Sequence, residues 1–166
     1  MSYPIRQGDI PGVQLRYEKS FALSVERLWP WLTEPRRMVR WLADRVERHP
    51  LDEAGWVWHG VDPSGRPFVE EARRLTVDET AGDRRRWIAT FERADDGWES
   101  ATRLVFELSG DGPCRLAVLQ QGFERLSLSR CLTDWELYRK RWRLAFDRLE
   151  AALAAASGEP DGAGGG

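Results

Sequence analysis

Residues 24–42 read SVERLWPWLTEPRRMVRWL. Ser24 can cap a helix whose first turn holds Glu26, a carboxylate suited to the positive end of the helix dipole. Pro30 kinks or shortens that helix, because it has no N–H to donate and its ring crowds the preceding turn. A second short helix opens at Thr33, with Pro35 in its first turn, where a missing N–H costs nothing. On it Met38, Trp41 and Leu42 fall on one side. Immediately upstream, VQLRYEKSF (13–21) alternates, so that Val13, Leu15, Tyr17, Lys19 and Phe21 share one strand face. A strand followed directly by two short helices rich in tryptophan is an uncommon opening, and the rest of the chain completes it.

Downstream, stretches 44–49, 54–60, 66–78, 84–93, 100–109 and 114–123 read as strands. They are separated by turn-forming segments, among them DPSG (62–65), TAGD (80–83), ADDG (94–97) and GDGP (110–113). Trp87, Ala89 and Phe91 share one face, as do Thr102, Leu104, Phe106 and Leu108. Hairpins in succession make an antiparallel meander. The last element is a long helix, roughly 129–156. Its apolar stripe is Leu132, Trp135, Tyr138, Trp142, Ala145, Phe146, Leu149 and Leu153, opposite Glu136, Lys140, Arg143, Asp147 and Glu150. A sheet with one apolar face needs a cover, and this helix is the only large one available.

The order predicts an α+β fold: an antiparallel sheet of about seven strands covered by a long C-terminal helix, with two short helices after the first strand. It resembles the helix-grip fold of the START-like (SRPBCC, Bet v 1-like) superfamily, and the resemblance implies a curved antiparallel sheet wrapped around that helix. Within it, four stretches resemble the branch of homologues of the Hsp90 ATPase activator's C-terminal domain: 24–42, RRRWIATFE (84–92), TRLVFELSGDGPCRLAVLQQGFE (102–124), and the helix around Trp142, Leu149 and Leu153. Departures are Cys114 where threonine is common, Arg141 before Trp142 where glycine is usual, and Gln120 and Gln121 near a usual histidine. The resemblance implies a cavity between helix and sheet that takes hydrophobic or aromatic small molecules, with cyclase or dehydratase chemistry in some members.

Composition bounds the rest. A chain of 166 residues suits one domain, read as 13–156, between a flexible arm (1–12) and a disordered glycine-rich tail (157–166). A net charge of −2 with acids and bases interleaved argues against nucleic-acid binding. Neither a membrane span nor a signal peptide is visible, so a cytoplasmic address is the default expectation. Two cysteines and two histidines without ligand spacing imply no metal site, and no cofactor is expected.

The chain carries nine tryptophans. Trp29, Trp31 and Trp41 read first as packing, and Trp31 keeps the strongest claim of the three on a ligand. GWVWHG (55–60) sets Trp56 and Trp58 on one strand face and His59 on the other. In EEARR (70–74), Glu71 and Arg73 share one face and Glu70 and Arg74 the other, so one charged pair must turn toward the concave side. The expected ligand-binding set is Trp31, Trp56, Trp58, Phe68, Trp87, Phe106, Trp135, Tyr138, Trp142 and Phe146, with Glu71, Arg73 and Gln120 as polar anchors. Glu71, His59 and Tyr138 are the only proton-transfer groups in reach of such a pocket. The inventory reads as a binding protein for a hydrophobic or aromatic small molecule, such as a polyketide-type natural product in its biosynthesis or in self-resistance. A polyketide cyclase or aromatase is the alternative, and a co-chaperone-like interaction protein a further one.

Overall fold

The structure, a computed structural model, describes residues 13–157 except positions 82, 95 and 111, with the backbone alone at 79–81, 97 and 98. The arm read at 1–12 and the tail beyond Ser157 lie outside the described residues; Ser157 itself ends the last helix.

Alternation in the strands produces a seven-stranded antiparallel sheet in the order β1-β7-β6-β5-β4-β3-β2. The strands are β1 (Gln14–Phe21), β2 (Arg45–His49), β3 (Asp52–Val61), β4 (Pro67–Ala81), β5 (Arg84–Arg93), β6 (Thr102–Ser109) and β7 (Cys114–Gln121). The hairpins follow local chemistry. In the β3–β4 turn the Asp62 carboxylate accepts from the backbone N–H groups of Ser64 and Arg66, at 2.9 and 3.0 Å, closing an Asx-type turn. Helix α4 (Leu128–Ser157) covers one face. Its 30 residues extend about 45 Å at 1.5 Å per residue. This is the α+β helix-grip architecture.

Two details differ from the sequence reading. The segment after β1 forms three single-turn helices, α1 (Val25–Leu28), α2 (Pro30–Thr33) and α3 (Pro35–Met38). Pro30 shortens the first helix, as expected, and also starts a new turn, because at the first helical position its missing N–H has no partner to lose. Leu132, expected on the apolar stripe of α4, is 56% exposed. Fully buried positions on α4 begin at Asp134, so Leu132 lies ahead of the stretch that is closed off against the sheet.

The core lies between α4 and the sheet. Leu15, Phe21, Trp58, Ala72, Trp87, Ala89, Phe91, Leu104, Phe106, Leu116 and Val118 enter it from the sheet, and Trp142, Ala145, Phe146 and Leu149 from α4. Lys19 breaks the apolar face of β1 and reaches the rim of α4, where Asp147 and Glu150 take its ammonium at 3.3 and 2.8 Å. Their hydrogen bonds and charges raise its pKa against the opposing effect of burial.

Candidate functional site

Between helix and sheet, where the resemblance implies a chamber, aromatic side chains pack on one another. Trp87 packs on Phe106 with ring centroids 4.8 Å apart, and on Trp58 at 6.1 Å. Phe91 meets Trp58 at 5.9 Å, Trp142 at 5.8 Å and Tyr138 edge-on at 5.5 Å. Trp41 joins Phe106 and Phe146, and Phe146 meets Tyr17 at 5.0 Å. Such tilted and edge-on contacts are the preferred geometries of aromatic pairs. Trp58, Trp87, Phe106 and Trp142, all expected to line a ligand site, are linked ring to ring in this network, and Phe146, also expected there, joins it through Trp41.

The indole N–H groups brace this core. Trp41 donates to the carbonyl of Trp31 at 2.9 Å, Trp87 to that of Leu32 at 3.0 Å, and Trp135 to that of Gln14 at 2.8 Å. Trp142 donates to Gln120 Oε1 at 2.8 Å, while Gln120 Nε2 donates to Thr102 Oγ1 at 2.9 Å. Gln120, expected to anchor a ligand, is thus occupied on both ends of its amide. Trp58 differs: its buried Nε1 has no hydrogen-bond partner among the described residues.

The charges also sort by strand parity. Glu70 and Ala72 face α4 and are buried, whereas Glu71 and Arg73 point to the opposite face. There Glu71 binds His49 Nε2 at 2.7 Å and Arg73 donates to Glu92 at 2.6 Å, so neither expected anchor reaches the helix side. His59 lies near the sheet edge, 3.2 Å from the Arg45 guanidinium and 3.5 Å from Glu47. Trp31 lies beneath the guanidinium groups of Arg37 and Arg40, Trp56 beneath Arg48, and Trp135 beneath Arg139. These three rings cover ends of the core and line none of the clefts described here.

One cleft does combine expected residues with chemistry. It has a volume of about 690 Å³ and runs between α4, β4 and the β3–β4 turn. Its inner wall holds Phe68, Glu70, Tyr138 and Arg141. Arg141 grips Glu70 through Nε at 2.9 Å and Nη2 at 2.6 Å, and its Nη2 also donates to the carbonyl of Leu42 at 2.8 Å. Glu70 and Arg141 are 1% and 6% exposed, so this two-pronged pair is buried. The Arg141 guanidinium lies 4.5 Å from the centroid of the Phe68 ring. Phe68 also lies on Gly60, where a Cβ would come within 2.6 Å of the ring. Burial pushes the Tyr138 phenol well above its usual pKa, and the Glu70 carboxylate, which it hydrogen-bonds, adds to this against Arg93 and Arg141. At neutral pH Tyr138 is therefore a hydrogen-bond donor. Farther along the cleft, Arg93 of β5 binds Asp134 at 3.0 Å and Asp96 at 2.8 Å, and Arg130 joins Asp96 at 2.5 Å. Burial opposes ionisation of Asp96, but its hydrogen bonds to Arg93 and Arg130 outweigh this and hold its pKa below the usual value.

Of the expected set, the structure brings only Phe68 and Tyr138 to this cleft. Glu70 and Arg141 were missed as site residues. Their signals were present, an acid with the parity of Ala72 and an arginine on the apolar side of α4 beside Trp142. Among the described residues no group of three or more His, Cys, Asp or Glu side chains can hold a metal, and no helix is long and apolar enough to cross a membrane.

No family model matches the chain, and no curated protein matches it. Solved structures do. Protein Ms6760 from Mycobacterium smegmatis superposes with a TM-score of 0.65 at 15% identity, over 86% of this chain and 91% of that one. The AHSA1 protein from Silicibacter pomeroyi gives 0.59 at 18% identity, over 86% of this chain and 99% of that one. DynU16, a protein in the dynemicin biosynthetic locus, gives 0.57 at 17% identity, over 86% of this chain but 48% of that one. Identities this low carry the fold alone. The chain thus has a helix-grip fold similar to those of an AHSA1 protein and of a protein from a natural-product locus.

Proposed function

We propose that the protein binds a hydrophobic or aromatic small molecule bearing a polar substituent, in the cleft between α4, β4 and the β3–β4 turn. The observation that carries this reading is the inner wall of that cleft. There an aromatic ring and a phenol stand beside a buried, bidentate Glu70–Arg141 pair, so apolar contact and oriented polar groups meet in one place. Ring-to-ring packing between α4 and the sheet supports this cleft over an enclosed chamber as the ligand's place. A role in the biosynthesis of, or self-resistance to, a polyketide-type compound agrees with the place of DynU16 in the dynemicin biosynthetic locus, although the likeness to it is one of fold.

Binding without catalysis is the preferred reading. Glu71 and His59 face away from α4, and Tyr138 stays protonated at neutral pH, so none of the three expected proton-transfer groups stands in the cleft as a base. The test is titration with a neutral hydroxylated anthraquinone, followed by tryptophan fluorescence and amide NMR shifts. Saturable shifts at Phe68, Tyr138 and Arg141 are expected. No saturable change, or shifts confined to the opposite face of the sheet, would sink the reading.

A second reading is favoured by the filled interior itself. With the aromatic core closed, the protein can act through its surface, as a co-chaperone-like interaction protein. Stimulation of a purified Hsp90 ATPase by the added protein, undiminished in Glu70→Gln, is the result that would select it.

A further inference from the structure

A second cleft, of about 830 Å³, lies where β5 and β6 meet the linker into α4. Ile88, Ala89 and Leu126 supply apolar lining. Arg74, Arg103, Arg125 and Arg130 also line it, against Glu99 as the one carboxylate of the described lining. That concentration of positive charge stands out in a chain of net charge −2. Arg130 is neutralised by Asp96 at 2.5 Å. Arg103 donates to the neutral amide of Gln121 at 2.7 Å. Among the described residues, no carboxylate forms an ion pair with Arg74, Arg103 or Arg125.

The position of Arg74 is a separate observation. It is the one non-glycine residue with positive φ among the described residues, at 54°. The β4–β5 register shifts there, between Arg73 and Thr76, and the Arg74 N–H is held by Asp52 Oδ2 at 2.6 Å. An L-residue in left-handed backbone is strained where glycine would be at ease, and a bulge re-aims the side chain it carries. Strain of this kind concentrates at binding sites. Here it sets a guanidinium at a cleft already rich in them.

We infer that this cleft binds an amphipathic organic anion, a carboxylate carried on an apolar body. Guanidinium forks match a planar carboxylate in geometry and charge. The Ile88, Ala89 and Leu126 surfaces take the apolar part. The site shares only Arg130 with the cleft assigned above, which presents a paired and neutralised Glu70–Arg141 wall.

The test uses 2-naphthoate, with uncharged 2-naphthalenemethanol and inorganic phosphate as controls, on the full chain by amide NMR. Naphthoate should give saturable shifts at Ile88, Thr90, Arg103 and Leu126. The alcohol and phosphate should each bind at least tenfold more weakly. The double variant Arg103→Gln, Arg125→Gln should weaken naphthoate tenfold or more. Arg74→Gly, which removes a charge while relieving the backbone, should weaken it severalfold in a spectrum that otherwise stays folded. Equal affinity for naphthoate and the alcohol, phosphate binding as tightly as naphthoate, variants that bind like the parent, or shifts at Phe68, Tyr138 and Arg141 instead would each overturn the proposal. Since the anthraquinone experiment reads the other cleft with a neutral probe, either proposal can fail alone.

Discussion

Two side chains show how much a single residue decides here. Glu70 is a buried carboxylate whose charge is matched by one partner, Arg141. Removing either member leaves the other charge buried and unpaired, which typically costs about 3–5 kcal/mol, whereas an apolar pair of similar volume is often neutral. Glu70→Ala should therefore lower stability by about that amount in urea denaturation. Glu70→Leu combined with Arg141→Met should recover most of it while losing ligand affinity in the Phe68–Tyr138 cleft. Full affinity in the double variant would remove the pair from the binding mechanism. Arg74 is the opposite case. Left-handed backbone costs a non-glycine residue about 1–3 kcal/mol, and glycine returns some of the gain through its greater freedom when unfolded. Arg74→Gly should leave stability unchanged or raise it by up to about 1 kcal/mol, read as the thermal midpoint.

At the scale of elements, the tryptophans act as cross-braces. The indole of Trp87 joins β5 to α2, that of Trp135 joins α4 to β1, and that of Trp142 joins α4 to β7 through Gln120. Each buries a large ring and satisfies a backbone or amide acceptor in the same step. Gln120→Leu keeps the volume but strands the Trp142 N–H and takes away the amide N–H that Thr102 Oγ1 accepts. The expected loss is about 1–3 kcal/mol, the usual cost of an unsatisfied buried polar group. Native-state hydrogen exchange should show it as faster opening of α4 and β7 together, with β2 and β3 unaffected. The β3–β4 hairpin carries its own constraint. Gly60→Ala would push its methyl into Phe68, so the ring must leave the Arg141 guanidinium. Cleft binding should weaken in this variant more than global stability does.

For the whole molecule the two ends of the pH scale act on different groups. The folded protein keeps Tyr138 protonated to a higher pH than the unfolded chain, whose phenol titrates near 10. The resulting stabilisation is complete below about pH 10 and is lost as pH rises above it. Asp96 has the reverse sign: its lowered pKa contributes stability above about pH 4 that disappears as pH falls. Denaturation followed from pH 7 to 11 should therefore decline more steeply in the parent than in Tyr138→Phe. A parallel decline would mean that Tyr138 is not the group responsible.

Local pattern alone determined the element order, the antiparallel meander and the apolar side of α4 from Trp135 to Leu149, because strand alternation and helical spacing are written residue by residue. It also marked Phe68 and Tyr138 as lining a site. It left open which face of EEARR (70–74) turns inward, since parity distinguishes two faces without saying which one α4 covers. Tertiary pairing decided that. Once Trp58 and Ala72 enter the core, Glu70 must follow and Glu71 and Arg73 must leave. Whether the tryptophans enclose a chamber or pack among other rings was equally undecided in sequence. An aromatic ring has the same identity in either setting, and only the packing of helix against sheet shows that Trp41, Trp58, Trp87 and Trp142 meet other rings of the core.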